Sequence, residues 1–102
     1  MSEFVRICGQ AELPRPGDVK EVMAAGRAFC VANAGGAIHV LNGECPHEGG
    51  PLGEGRLEDG RVVCPWHEYA FDVTTGAERE DTELKAEVFE SVVEGGELKA
   101  KI

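Results

Sequence analysis

The chain has 102 residues, 42% of them apolar, which predicts a single compact domain and argues against a disordered chain. Its formal net charge of −9 argues against nucleic acid and anionic membranes as partners, because both attract Lys and Arg. The sequence shows neither a signal-peptide pattern nor an apolar run near the roughly 18 residues that cross a bilayer, so we expect a cytoplasmic protein.

Short apolar runs alternate with turn residues along the chain, a pattern typical of a small all-β protein. The runs are rich in Val, Ile and Phe, which favour strands, and no segment carries a sustained helical stripe. Glycine pairs at 35–36 and 95–96 predict hairpin turns, and residues 80–87 fit either a short helical turn or a loop. In chain order, the predicted strands are residues 4–8, 19–24, 28–33, 37–41, 61–64, 71–73, 88–93 and 97–102.

Residues 42–60 contain no predicted helix or strand. Six of the 14 glycines fall between Gly43 and Gly60, which indicates a backbone that makes tight turns or approaches other groups closely. A segment this long without regular structure is usually functional in a small domain. We therefore expect residues that carry chemistry within this region or next to it.

Two short segments contain metal-ligand residue types: Cys45-Pro46-His47 and Cys64-Pro65-Trp66-His67. Each segment supplies one thiolate and one imidazole, and cysteines in a cytoplasmic protein suggest metal or redox chemistry before disulfides. The residue types alone also fit a structural zinc site. Zinc sites usually pair their cysteines and then their histidines, whereas here the two types alternate.

The same two segments resemble the cluster loops of Rieske [2Fe–2S] proteins, in which Cys-x-His, about sixteen residues and then Cys-x-x-His form the fingerprint. The resemblance extends over residues 43–76. It implies a Rieske fold: residues 1–102 form one domain, with a small antiparallel sandwich or barrel built from residues 1–42 and 76–102. A cluster-binding subdomain of about residues 43–75 is inserted into it.

The resemblance further implies one [2Fe–2S] cluster, with Cys45 and Cys64 on one iron and His47 and His67 on the other. A protein with this single redox centre would be an electron carrier and not an enzyme. It would pass single electrons from a reductase to a terminal oxygenase of the ring-hydroxylating dioxygenase type, without a small-molecule substrate of its own. The acidic charge fits partners that have basic docking faces.

The loop residues resemble those of oxygenase-associated ferredoxins more than those of respiratory complexes. Gly50 and Trp66 occupy the positions that form a disulfide in the respiratory type, so packing, with Trp66 beneath the cluster, is expected to hold the loops. Phe71 and Tyr69 replace two hydroxyl residues that donate hydrogen bonds to sulfur, and we expect Tyr69 to point outward. The reduction potential should therefore lie near the bottom of the roughly −150 to +300 mV range of such centres.

Two other functions stay open: the small subunit of an assimilatory nitrite reductase, which often lacks the ligands, and a zinc-stabilised interaction module. Cys8 and Cys30 are predicted to be buried apolar residues without a chemical role, and His39 to be a surface strand residue. The acidic residues of 78–97 predict a solvated face that could serve as a docking surface. The region 77–84 lacks the proline found beside the cluster in many relatives.

Overall fold

The computed structural model describes residues 3–46, 49–66 and 68–102. The described residues contain nine β-strands and two short 3-10 helical turns, Gln10–Glu12 and Leu52–Glu54. The strands are β1 Phe4–Gly9, β2 Val19–Ala24, β3 Arg27–Ala34, β4 Ala37–Asn42, β5 Arg56–Glu58, β6 Arg61–Val63, β7 Ala70–Asp72, β8 Val88–Glu94 and β9 Glu97–Lys101.

Six of these strands form a curled antiparallel sheet, here called the body sheet, in the order β1-β9-β8-β4-β3-β2. A hairpin at Ala25 and Gly26 joins β2 to β3, and two further hairpins are those that the glycine pairs predict. Gly35 and Gly36 join β3 to β4, and Gly95 and Gly96 join β8 to β9; all four have positive φ, from 60° to 99°. The all-β prediction is therefore confirmed.

The central strands of the body sheet are buried on both faces. Alternate residues of β3 and β4, such as Phe29 and Val40, pack against β1, β8 and β9 in what we call the inner core. The intervening residues, such as Cys30 and Leu41, face the opposite side in what we call the bridging core. The bridging core consists of Cys30, Ala32, Leu41, Cys45, Leu52, Val62, Cys64, Phe71, Val73 and Ala86.

The remaining strands, β5, β6 and β7, form a small antiparallel sheet that covers the bridging core. Each strand has only three residues, and Asp59 and Gly60, both at positive φ, turn β5 into β6. The segment 42–60, in which no element was predicted, thus holds the second 3-10 turn and β5. Strand β7 begins one residue earlier than predicted.

The two cysteines outside the loops and His39 all lie in the body sheet. Cys8 lies in the inner core and Cys30 in the bridging core, so the prediction that both are buried is confirmed. The prediction for His39 is wrong: it is half-buried, because it shares its strand face with Leu41 of the bridging core. Residues 80–87 form a loop of turns, and within the described ranges no helix is long and apolar enough to span a membrane.

Candidate metal centre

Two loops meet beside the bridging core. The first loop, residues 43–52, follows β4, and within it the N–H of Cys45 donates to the Gly50 carbonyl at 2.8 Å while the N–H of Gly49 donates to the Cys45 carbonyl at 2.8 Å. The second loop, residues 64–69, joins β6 to β7 and is closed by a 2.7 Å hydrogen bond from the Cys64 N–H to the Tyr69 carbonyl. Each loop thus forms a tight turn beginning at or next to a predicted cysteine ligand.

The structure brings the two predicted cysteine ligands together. Cys45 is 3% exposed and Cys64 is fully buried, and the two thiols lie close enough for Cys45 to affect the ionisation of Cys64. Burial raises the pKa of the Cys64 thiol to about 11; a hydrogen bond from the Trp66 N–H opposes the rise, and Cys45 adds to it. Both sulfurs are soft ligands that lose their protons when they bind iron or zinc.

The two predicted histidine ligands, His47 and His67, lie outside the described residues. Their described neighbours Pro46 and Glu68 are exposed. The two loops therefore combine a buried end, where the cysteine sulfurs lie, with exposed chain next to each histidine position.

Gly50 permits the two loops to approach each other. A Cβ added there would lie 2.9 Å from Cδ2 of Trp66 and 3.1 Å from the sulfur of Cys64, so a side chain at this position would press on both groups. Trp66 thus contacts the first loop, but 48% of its surface is exposed. The prediction that Trp66 helps to hold the loops by packing is confirmed by this contact, whereas its place relative to the cluster stays a prediction.

Two further glycines attach the first loop to the rest of the fold. A Cβ at Gly53 would lie 2.7 Å from the Cα of Glu21 in β2, and one at Gly55 would lie 1.9 Å from the carbonyl oxygen of Val63 in β6. The glycine content of this region therefore reflects close backbone approaches, as predicted, and not general flexibility.

The end of the second loop carries a strained residue and an aromatic pair. Glu68 has φ +58°, which is uncommon for a residue with a side chain, and its carboxylate lies 3.7 Å from the Arg56 guanidinium. Phe71 is fully buried, and Tyr69 is half-buried against the bridging core. The expectation that Tyr69 points outward is wrong, because its ring covers part of this core.

Residues 3–93 match the family model described as the Rieske [2Fe-2S] domain. The chain belongs to the Rieske family. Its cofactor is accordingly a [2Fe–2S] cluster, and the residues present fit that group: two buried thiols interact, and Gly50 lets the first loop approach the sulfur of Cys64 closely.

Similar proteins extend the Rieske match over nearly the whole chain. The ferredoxin component of the alkene monooxygenase system of Xanthobacter autotrophicus is 30% identical over 97 residues, covering 94% of this chain and 79% of the relative. A solved complex of reduced oxygenase and oxidized ferredoxin in carbazole 1,9a-dioxygenase matches with a TM-score of 0.82 and 27% identity. It covers 96% of this chain and 92% of the matched chain.

The same fold also occurs outside oxygenase systems. A protein of Mycobacterium tuberculosis described as an NADH-dependent nitrite reductase small subunit matches with a TM-score of 0.85. The match covers 100% of this chain and 96% of that one, and at 19% identity it shows the shared fold alone. The chain spans 10% of the length of the first curated relatives it matches.

Residues 77–84, here called the third loop, lie against β7, the strand that leaves the second loop: Glu78 pairs with Phe71, and the N–H of Arg79 donates to the Ala70 carbonyl at 2.8 Å. Glu78, which the sequence placed on a solvated acidic face, is only 2% exposed, so that expectation is wrong for this residue. Burial alone would raise the pKa of Glu78, but hydrogen bonds from backbone N–H groups, including those of Ala70 and Asp81, outweigh burial and lower it. No sequence signal distinguished Glu78 from its exposed acidic neighbours.

Proposed function

We propose that this chain is a ferredoxin in which Cys45 and Cys64 bind one iron of the [2Fe–2S] cluster and His47 and His67 bind the other. The observation that carries the proposal is the contact between the two buried thiols at the bases of adjoining loops. The alternating order of thiolate and imidazole along the chain supports the mixed ligand set. Residues 1–102 would form one domain, with the cluster subdomain at about residues 43–75.

The proposed activity is transfer of single electrons from a reductase to a terminal oxygenase of the ring-hydroxylating type, in the cytoplasm. The similarity to the ferredoxin components of alkene monooxygenase and carbazole 1,9a-dioxygenase systems supports these partners. The net charge of −9 suits partners with basic docking faces, because complementary charge accelerates encounter. The chain would act as a carrier and not as a catalyst.

Each part of the site has a role in this proposal. The cluster supplies a one-electron redox centre when it is bound. Cys45 and Cys64 hold it from the buried side, and the Trp66 N–H donates a hydrogen bond to the Cys64 sulfur, a kind of contact that tunes such centres. Gly50 and Trp66 close the first loop over this sulfur and limit the access of water.

Electron paramagnetic resonance of the anaerobically purified protein, reduced with dithionite, tests the proposal. We expect a Rieske-type spectrum, whose average g is lower than that of an all-cysteine cluster. A colourless, silent sample with one zinc and no labile sulfide would replace the proposal with a zinc-stabilised interaction module. Co-purification with a large haem and iron–sulfur subunit would instead indicate the small subunit of a nitrite reductase.

Cysteine variants make this experiment specific to the proposed ligands. Cys64→Ala should abolish the signal, whereas Cys30→Ala should keep it, because Cys30 is equally buried in the same bridging core but is not a proposed ligand. Retention of an unchanged spectrum in Cys64→Ala would refute the ligand assignment. Loss of the signal in Cys30→Ala together with its retention in Cys64→Ala would refute the assignment as well.

A further inference from the structure

A buried carboxylate lies where the second and third loops join. Glu78 is one of two buried polar or charged residues in the described ranges; the other, Asn33, bonds Pro14 and Gly36 at a turn of the body sheet. A carboxylate is costly to remove from water unless it is paired or well hydrogen-bonded. The contacts of Glu78 therefore indicate what its burial achieves.

Both carboxylate oxygens of Glu78 accept hydrogen bonds from the backbone. Oε2 accepts from the N–H of Ala70 at 2.9 Å, and Oε1 accepts from the N–H groups of Glu80 at 2.8 Å and Asp81 at 2.9 Å. One oxygen thus contacts the strand that leaves the second loop, and the other contacts the third loop. The carboxylate ties these two segments together.

Ala70 connects this carboxylate to the second loop. Its carbonyl accepts a hydrogen bond from the N–H of Arg79 at 2.8 Å, so both of its backbone polar groups bond to the third loop. The preceding residue, Tyr69, accepts the hydrogen bond from Cys64 that closes the second loop. Glu78 therefore fixes the chain directly next to this closing bond.

The charge of Glu78 is not neutralised by a side chain in the part of the molecule that the structure describes. No Lys or Arg there forms an ion pair with it, and backbone N–H dipoles alone stabilise the carboxylate. Reduction adds one negative charge to the cluster. A fixed carboxylate in a poorly solvated position opposes that addition, and salt screens it less than an exposed charge.

We propose that Glu78 is a positioning residue of the Rieske centre, whose buried carboxylate locks the second loop to the third loop and makes the cluster harder to reduce. The inference rests on the proposed function, because it requires the cluster to be bound beside the second loop. It gives the third loop an anchor in place of the proline that is absent from residues 77–84. The charge of Glu78 would also lower the reduction potential of the cluster, independently of the hydroxyl group that Phe71 lacks.

Two variants separate the charge of Glu78 from its hydrogen bonds. Glu78→Gln removes the charge at nearly constant size, but its NH₂ group cannot accept from a backbone N–H as the oxygen it replaces does. Glu78→Asp also loses hydrogen bonds, because it is too short to reach both Ala70 and the third loop, but it keeps the charge, so an effect seen only in Glu78→Gln belongs to the charge. Glu80→Gln is the matched control, because it removes a carboxylate two residues away whose side chain is 83% exposed. The three variants and the unmodified protein are compared with the cluster bound. One measurement is the equilibrium between each protein and a redox dye at low and at high salt. The other is the rate at which a chelator bleaches the cluster.

We expect Glu78→Gln to shift the equilibrium with the dye towards the reduced cluster by about threefold or more at both salt concentrations. Glu80→Gln should give a smaller shift that disappears at high salt. Glu78→Asp should keep the dye equilibrium of the unmodified protein but bleach several times faster, because the tie between the loops is weakened. This pattern would assign the two effects to the charge and to the hydrogen bonds respectively.

A dye equilibrium in Glu78→Gln equal to that of the unmodified protein or of Glu80→Gln would overturn the proposal. An unchanged bleaching rate in Glu78→Asp would also overturn it. If Glu78→Gln retains no cluster, the bleaching rate of Glu78→Asp alone decides whether the proposal stands. The result is separable from the proposed function. A silent spectrum of the unmodified protein would refute that function, whereas a normal Rieske spectrum with unresponsive Glu78 variants would refute only this inference.

Discussion

The body sheet and the small sheet are held together by different means. Strands of the body sheet have five to eight residues, and those at its centre bury side chains on both faces. The small sheet has strands of three residues, and its loops are held by close backbone approaches at glycines and by the carboxylate of Glu78. Both regions bury apolar side chains, Val62 and Phe71 among them, but the small sheet has much shorter strands and depends in addition on these few specific contacts.

This difference between the two sheets indicates which part of the protein the cofactor stabilises. Short strands and loops with few regular hydrogen bonds open more easily than a packed sheet. A metal site assembled from two loops adds its binding free energy to the folding of those loops. The small sheet and its loops should therefore depend on the cluster, whereas the body sheet should not.

Removal of the cluster should have the largest effect and should separate the two regions. We expect amide exchange in β6 and β7 to accelerate by at least about tenfold in chelator-treated protein, because the loops on both sides lose their shared ligand. Exchange in β3 and β4 should change little. Hydrogen–deuterium exchange of the loaded and cluster-free protein measures both, and equal acceleration in the two regions would break the comparison.

A second test adds one methyl group in each region. Gly55→Ala places a Cβ 1.9 Å from the Val63 carbonyl oxygen and should lower the free energy of unfolding by about 3 kcal/mol through overpacking. Gly35→Ala, in the β3–β4 hairpin, meets open space and should cost about 1 kcal/mol, because its φ of +64° disfavours a side chain. Urea unfolding of both variants measures the difference; similar losses would show that backbone contact is not the constraint at Gly55.

Acid should reveal the contribution of the buried carboxylate, with the smallest of the three effects. Because the pKa of Glu78 lies below its ordinary value of 4.5, its stabilisation is complete above that pH and is lost as the pH falls through the lowered value. At neutral pH, the free energy of unfolding of the unmodified protein should exceed that of Glu78→Gln by about 2 kcal/mol. This difference should shrink below pH 4.5 in urea titrations, and a difference that is independent of pH would contradict it.

The body sheet was largely predictable because its signals are local. Alternating apolar residues and glycine pairs mark β3, β4, β8 and β9 without reference to the rest of the chain. The meeting of Cys45 and Cys64 and the close approaches at the loop glycines were also predictable, because both follow from residue type and spacing. The same spacing predicts His47 and His67, which lie outside the described residues.

The features that the sequence did not predict depend on contacts between segments that are distant in the chain. Strand β5 has three residues, two of them exposed, and only its pairing with β6 makes it a strand. Glu78 lies among exposed acids and is buried only because backbone N–H groups from two segments converge on it. The half-exposed ring of Trp66 lies over Gly50, where no side chain is in the way, and this pairing of two loops cannot be read from either loop alone.

The position of Trp66 has an optical consequence. It is the only tryptophan of the chain, and its backbone N–H bonds the sulfur of Cys64. A coloured iron–sulfur centre held by that sulfur would quench indole fluorescence by energy transfer over such a short range. The emission of this one residue should therefore rise as clusters are lost, giving the protein an internal, label-free gauge of cofactor occupancy.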